Sequence, residues 1–264
     1  MVCAALGVTF RAMGVPRCLT IAGSDSGGGA GIQADLKAFA AAGCHGMSVV
    51  VALTAQNTVG VTAVHEAPVE VVRAQLDAVF SDIGVDAAKT GMLFSAPIVE
   101  TVAGFLEAHP VPLVVDPVMV ASSGARLLRE DAIETLVTRL FPLATVITPN
   151  LMEAEALIGP GPRDELARRL HALGPKSVIV TGGHGEEAVD TLYDGEQLVE
   201  IPVPRHESGA THGAGCTHSA TLAAALAKGL DLGEAAEQAA RFASEAVRQG
   251  YAEIGAGDGP VRVL

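Results

Sequence analysis

Short apolar runs alternate with helical patterns along most of the chain, and this alternation limits the fold more than any other feature. Cys18–Ala22, Met47–Leu53, Ala87–Lys89, Leu113–Asp116, Thr145–Thr148 and Val178–Val180 read as strands. Val61–His65 reads as a further short strand at an edge. Helical spacing fills the intervals at Ile32–Ala42, from Pro68 through Phe80, and at Ala96–Ala108, Asp131–Leu140, Leu151–Leu157 and Arg163–Leu173. Strands without a polar face, joined by helices, predict βαβ units and a mainly parallel sheet covered on both sides. Val189–Tyr193 and Leu198–Ile201, joined through Asp194–Gly195, predict a β-hairpin. Alanine-rich helices are expected at His218–Lys228 and Leu232–Gln249. There is no linker-like composition and no internal repeat, so residues 18–264 are expected to form one domain. Residues 1–17 are expected to be a loose extension, with Met13 an alternative start. In such sheets ligands sit at the C-terminal ends of the strands.

With 49% hydrophobic residues, 3% aromatics and no Trp, the core must be built from Ala, Val, Leu and Ile. A net charge of −13 argues against nucleic acid or an anionic membrane as the main partner. It leaves room for a phosphorylated ligand, because local backbone N–H groups bind phosphate within an acidic protein. Cys3, Cys18, Cys44 and Cys216 form no Cys-x-x-Cys pair and no zinc-ligand spacing, which points to a reducing, cytoplasmic setting. The first residues lack the pattern of a signal peptide, and no stretch reads as a membrane span.

Thr211-His-Gly-Ala-Gly-Cys-Thr217 stands directly before a helical run. Small residues at a helix start leave several N–H groups unpaired in the positive end of the helix dipole, a receptor for phosphate. Cys216 in that turn is a candidate nucleophile or base, and the helix N-terminus is expected to lower its pKa. Ser24 and Asp25, Gln56 and Asn57, Asp116, and Asn150 with Glu153 follow strands. Asp116 and Glu153 are the carboxylates expected near Mg²⁺, which takes few carboxylates and bridges nucleotide phosphates. Gly27–Gly31 lacks the Gly-Lys-Ser/Thr ending of a P-loop and reads as a substrate-side turn. Gly255-Ala-Gly-Asp258 mimics a catalytic motif, but Gly259-Pro260 follows and no helix can begin there. Among the eight histidines, His212 is the one placed in the anion turn; the others read as surface or loop residues. Met92 is expected as core or as an apolar pocket wall.

Taken together, these motifs resemble the hydroxymethylpyrimidine/phosphomethylpyrimidine kinases of the ribokinase-like superfamily. The resemblance rests on Ala22–Asp25 with Gly28–Lys37, Ala52–Thr58, Lys89–Leu93, Val115–Met119, Thr148–Ala154 and His212–Thr217, in order over residues 18–261. It implies an α/β/α three-layer sandwich with a mainly parallel central sheet and a small β flap. It implies transfer of the γ-phosphoryl group of ATP, with Mg²⁺, to 4-amino-5-hydroxymethyl-2-methylpyrimidine and then to its monophosphate in thiamin biosynthesis. Relatives suggest a homodimer. By the same resemblance Gln56 bonds the aminopyrimidine, and Asp35, Met92 and Gly23 line its pocket. Asn150 and Glu153 organise Mg²⁺ and phosphates together with Asp116. Gly213, Ala214, Gly215 and Cys216 form the anion hole, with Cys216 where many sugar kinases carry Asp. Thr181 stands where the family frequently has Lys, a lost cation on the ATP side.

Cys216 as thiolate is expected to take the proton of the hydroxymethyl group in the first step and to be neutral when the phosphorylated substrate binds. A lid is expected from Val189–Ile201 or Pro202–Thr211. The competing readings are a pyridoxal or pyridoxine kinase of the same superfamily and a non-catalytic pyrimidine sensor.

Overall fold

The computed structural model describes residues 14–120, 124, 127–182 and 189–264. Most of the expected N-terminal extension, residues 1–13, therefore lies outside the described residues. In chain order the elements are β1 (Arg17–Asp25), α1 (Gly31–Ala41), β2 (His45–Asn57), β3 (Gly60–Glu66), α2 (Val69–Ala78), β4 (Ala87–Thr90), α3 (Ala96–Ala108), β5 (Leu113–Val115) and α4 (Glu130–Thr135). They continue with β6 (Val146–Ile147), α5 (Leu151–Ile158), α6 (Arg163–His171), β7 (Val178–Val180), β8 (Val189–Tyr193), β9 (Leu198–Pro202), α7 (Ala214–Ala227) and α8 (Leu232–Arg248). The nine strands form one sheet in the order β3-β2-β1-β4-β5-β6-β7-β8-β9. Strands β2, β1, β4, β5, β6 and β7 run parallel, whereas β3, β8 and β9 pair antiparallel at the two edges.

Alternation along the strands separates two cores. Leu19, Ile21, Leu113, Val115, Val178 and Val180 face one layer, packed with Leu76 of α2, Ile98 and Phe105 of α3 and Leu166 of α6. Their neighbours Cys18, Val114 and Ile179 face the other, packed with Phe39 of α1, Ala220 and Ala224 of α7 and Ala239 of α8. Both faces of the parallel strands are apolar because both are covered, and the result is the α/β/α sandwich. Small side chains bring α7 close to α8 and to the sheet, and Thr217 through Ala225 are all buried.

Three details differ from the sequence reading. The pattern from Pro68 and the one from Asp131 both end in a π-helical turn, at Val79–Ile83 and Leu136–Leu140. Helix α7 begins at Ala214, so the supposed pre-helical loop is already its first turn, with Gly213 as N-cap at φ +89°. The β8–β9 hairpin, expected as a lid, is paired through β8 to β7 and extends the sheet. A second exposed ribbon is formed by the distal half of β2 with β3, whose register shifts between Ala55 and Gln56. Such a bulge bends a strand and re-aims the side chain beside it.

Candidate active site

The polar residues picked out at strand ends converge on one edge of the sheet. Asp25 closes β1 and is buried. One of its carboxylate oxygens accepts from Gly27 N–H at 2.7 Å. The other accepts from Gly29 N–H at 3.0 Å, Ala30 N–H at 2.8 Å and His212 Nε2 at 3.0 Å. Burial works to raise the Asp25 pKa, but His212 and the two amides of Ala30 and Gly27 outweigh it and hold the carboxyl below its ordinary value. Asp25 thus folds the first glycine-rich turn around itself and ties it to the second. His212 is a brace here, buried and bonded, rather than a free group in the anion turn.

The two turns touch so closely that side chains are excluded. A Cβ on Gly29 would lie 2.3 Å from His212 Cδ2, and one on Gly213 would lie 1.8 Å from the Gly29 carbonyl oxygen. Gly213 also holds a left-handed backbone, which costs any other residue about 1–2 kcal/mol. Gly213→Ala is therefore expected to lower the thermal midpoint by at least roughly 4 °C, at about 2–4 °C per kcal/mol for a chain of this size. A calorimetric midpoint unchanged in this variant would show that the contact yields freely.

Gly255–Asp258 supports the same loop. Asp258 accepts from the Thr211 N–H at 2.9 Å and the Thr211 hydroxyl at 2.7 Å, and His212 N–H donates to Gly259 C=O at 3.1 Å. The motif that imitates a catalytic turn is a buttress for the turn at Thr211–Gly213.

At the start of α7, the Ala214 N–H donates to Thr211 C=O at 3.0 Å and the Thr217 N–H to Gly213 C=O at 2.9 Å. Ala214 is therefore corrected as an anion donor, since its amide closes a turn. The amides of Gly213, Gly215 and Cys216 meet no backbone acceptor among the described residues. They are left free to donate to an anion at the positive end of α7.

The Cys216 thiol is pushed up to about 12, the reverse of the expected lowering. Burial is the main cause, Lys89 acts against it, and the carboxylates of Asp35 and Asp116 add to it. The helix dipole loses because removing the sulfur from water outweighs it, even with the Lys89 ammonium nearby. Lys89 Nζ lies 2.9 and 3.0 Å from the two oxygens of Asp35 and 3.9 Å from Asp116. Burial opposes charge on Lys89, but Asp35 outweighs it, with smaller help from Cys216 and Asp116, and its pKa is raised. The hydroxyl of Thr20 donates to Asp35 at 2.6 Å. Asp35 is wholly buried with both oxygens engaged, so the expectation that it lines the substrate pocket is corrected: it underlies the site and holds Lys89. Lys89 was not singled out among the candidate site residues. Its signal was a lysine inside an apolar strand, which cannot be buried without a partner.

Asp116 accepts from the Ser219 hydroxyl of α7 at 2.9 Å. Asn150 and Glu153 form a reciprocal cap on α5: Glu153 N–H donates to Asn150 Oδ1 at 2.9 Å and Asn150 N–H to Glu153 Oε2 at 3.0 Å. Burial first, and the like charge of Asp116 second, push Glu153 up to about 8. The buried hydroxyl of Thr148, two residues before Asn150, has no partner among the described residues. Two crowded carboxylates and an unused oxygen make a place that a cation would relieve. No cluster of three or more His, Cys, Asp or Glu that could hold a metal ion occurs among the described residues.

Thr181 follows β7, pairs with Asn150 as an isolated bridge, and donates its N–H to Pro149 C=O at 2.9 Å. The Gly183-His184 end of its motif lies outside the described residues. Neighbouring Gly182 N–H donates to Asp190 at 2.8 Å, and His218 Nε2 lies 3.1 Å from the same carboxylate. His218 is thus buried on α7, not a surface or loop histidine.

On the opposite side, Gln56 is half-buried and its Oε1 accepts from the Thr54 hydroxyl at 3.2 Å, leaving the amide N–H groups free of any partner among the described residues. Gly23 N–H donates to Met92 C=O at 3.1 Å, and a Cβ on Gly23 would meet Met92 Cε at 2.5 Å. Met92 belongs to a small apolar cluster with Ala52 and Leu127, flanked by Val61, Val64, Phe94 and Val118. Ser26 links Gln56 to the phosphate side: its hydroxyl donates to Gln56 C=O and accepts from Gln56 N–H, both at 2.8 Å. Position 56 and the start of α7 therefore both adjoin the loop formed by residues 25–30.

A family model described as phosphomethylpyrimidine kinase matches residues 25–262. The chain is 50% identical over 252 residues to the hydroxymethylpyrimidine/phosphomethylpyrimidine kinase of Rhizobium meliloti (strain 1021), covering 92% of this chain and 95% of that protein. It is similar to the crystal structure of phosphomethylpyrimidine kinase from Clostridium difficile 630, with a TM-score of 0.78, 42% identity and coverage of 88% and 99% of the two chains. It is also similar to an ADP complex of Bacillus subtilis pyridoxal kinase, with a TM-score of 0.86, 39% identity and coverage of 94% and 97%.

Proposed function

The chain belongs to the phosphomethylpyrimidine kinase family, and on that premise we propose how its cleft phosphorylates hydroxymethylpyrimidine and then the monophosphate. ATP is the phosphoryl donor, and thiamin biosynthesis is the pathway served. The observation that carries the reading is the pairing of unfilled amides at the start of α7 with an unfilled carboxamide at Gln56, across one loop organised by Asp25.

Phosphoryl transfer needs positioning and charge neutralisation more than covalent chemistry. Gln56 orients the aminopyrimidine through its free amide N–H groups, with Met92 as an apolar wall. The amides of Gly213, Gly215 and Cys216 stabilise charge on the transferred group, already oriented before it arrives. Asp116 and Glu153 would hold Mg²⁺, which would supply charge neutralisation for the phosphates. Asn150 fixes Glu153 through the cap on α5. Thr181 has no charge to offer the phosphates, so the amides at α7 carry more of that task.

Cys216 has different duties in the two steps. The alcohol must lose a proton, and the sulfur is the group placed to take it. The monophosphate is already ionised and needs a neutral neighbour, which the resting thiol is. With a thiol near 12, the thiolate fraction rises about tenfold per pH unit through the neutral range. The ratio of alcohol to monophosphate phosphorylation, with chemistry limiting, should therefore climb about tenfold per unit between pH 7.5 and 9.5, because ionisation of Glu153, near 8, acts on both steps alike. A level ratio would remove Cys216 from the role of base.

The direct test is ATP consumption with the pyrimidine alcohol, resolving mono- from diphosphate, with pyridoxal as comparator. Diphosphate formation supports the reading. Turnover of pyridoxal alone would favour a pyridoxal kinase, and pyrimidine binding without ATP consumption a sensor.

A further inference from the structure

Phe94 is the only non-glycine residue with a positive φ among the described residues, at +67°. It follows β4 two residues after Met92, where the chain leaves the sheet for the site. A left-handed backbone costs a phenylalanine about 1–2 kcal/mol, and glycine would make the same turn without that penalty. The conformation is held from several sides. Arg129 N–H donates to Phe94 C=O at 2.9 Å, and Ser95 N–H donates to Leu93 C=O at 2.8 Å. The buried Ser95 hydroxyl donates to the Glu66 carboxylate at the end of β3. Strain maintained in this way usually accompanies function.

The ring lies partly buried against the cluster of Ala52, Met92 and Leu127. The valines in the same cluster connect it to Gln56. Val61 is the cross-strand partner of Gln56, and Val64 that of Thr54, whose hydroxyl bonds the Gln56 carboxamide. The apolar patch and the free amide N–H groups therefore adjoin on one face of the β2–β3 ribbon. That combination suits a flat heterocycle carrying hydrogen-bond acceptors at its edge. We propose that Phe94 is a specificity-determining residue, its strained backbone serving to present the ring as a wall of the heterocycle pocket and so to limit the size of ring admitted. The inference rests on the pyrimidine-kinase reading and adds to it a residue that sets selectivity.

The test is a set of steady-state assays on Phe94→Ala and Phe94→Leu with the pyrimidine alcohol, with pyridoxal, and with varied ATP. Phe94→Ala should raise the KM for the pyrimidine alcohol about tenfold and leave the KM for ATP within twofold. It should also increase the relative kcat/KM for the bulkier pyridoxal. Phe94→Leu should restore most of the pyrimidine KM. Phe94→Gly, which removes the backbone strain, should show the same KM split with a thermal midpoint no lower than that of Phe94→Ala, and it serves as the test if Phe94→Ala does not fold. A pyrimidine KM within twofold of the original in the folded variants, or an equal rise in both KM values, would overturn the proposal. If the unaltered enzyme makes no pyrimidine phosphate, the functional reading itself has failed; if it does and the variants match it, only the role of Phe94 has.

Discussion

Cys216→Asp should spare phosphorylation of the alcohol and suppress that of the monophosphate by about a thousandfold. The carboxylate can still accept a proton in the first step. In the second it faces an ionised phosphate, and two unit charges about 4 Å apart at an effective dielectric near 20 repel by about 4 kcal/mol. At about 1.4 kcal/mol per tenfold, that is roughly three decades. The thiol avoids this because burial and the carboxylates of Asp35 and Asp116 keep it protonated at rest. Measuring mono- and diphosphate separately decides the matter. Equal loss of both steps, or loss of the first alone, would mean that charge at this position is not what distinguishes cysteine from aspartate.

Lys89→Met should destabilise the fold by about 3–5 kcal/mol, the usual cost of stranding the partner of a buried ion pair. Asp35 would be left wholly buried, with Thr20 its remaining hydrogen-bond donor. The change also removes the positive charge nearest Asp116. Urea unfolding of the variant measures the loss, which corresponds to roughly 6–20 °C in thermal midpoint. Replacing both partners, Lys89→Met with Asp35→Leu, should recover most of the stability because no charge is left unpaired. Activity should not recover with it, since Asp116 and Cys216 would still lack the ammonium between them. A loss under about 1 kcal/mol in the single variant would show that water or a rearranged side chain reaches Asp35. Full activity in the stable double variant would make the pair purely structural.

Much of the architecture was legible from residue order alone. Strands such as Leu113–Val115 and Val178–Val180 are apolar at every position, which only a sheet covered on both faces permits. Helix Ala96–Ala108 was bounded correctly because Pro97 suits a first turn. The strand-end polar residues were also legible, since chain direction in a parallel sheet sends them to one edge. The start of α7 was misplaced because glycines read as loop, whereas a left-handed Gly213 followed by small residues can begin a helix at once.

What residue order determined, then, was which groups are offered to the cleft: the amides before Thr217, the carboxamide of Gln56, and the carboxylates of Asp116 and Glu153. What only the tertiary structure decided was their electrical state and their neighbours. The helix dipole acting on Cys216 is local and can be read from the sequence. The desolvation that overrules it, and the Asp35 and Asp116 carboxylates that add to it against the pull of Lys89, come from elements far away along the chain. Electrostatic energies depend on distance and dielectric in space, and a one-dimensional pattern holds neither.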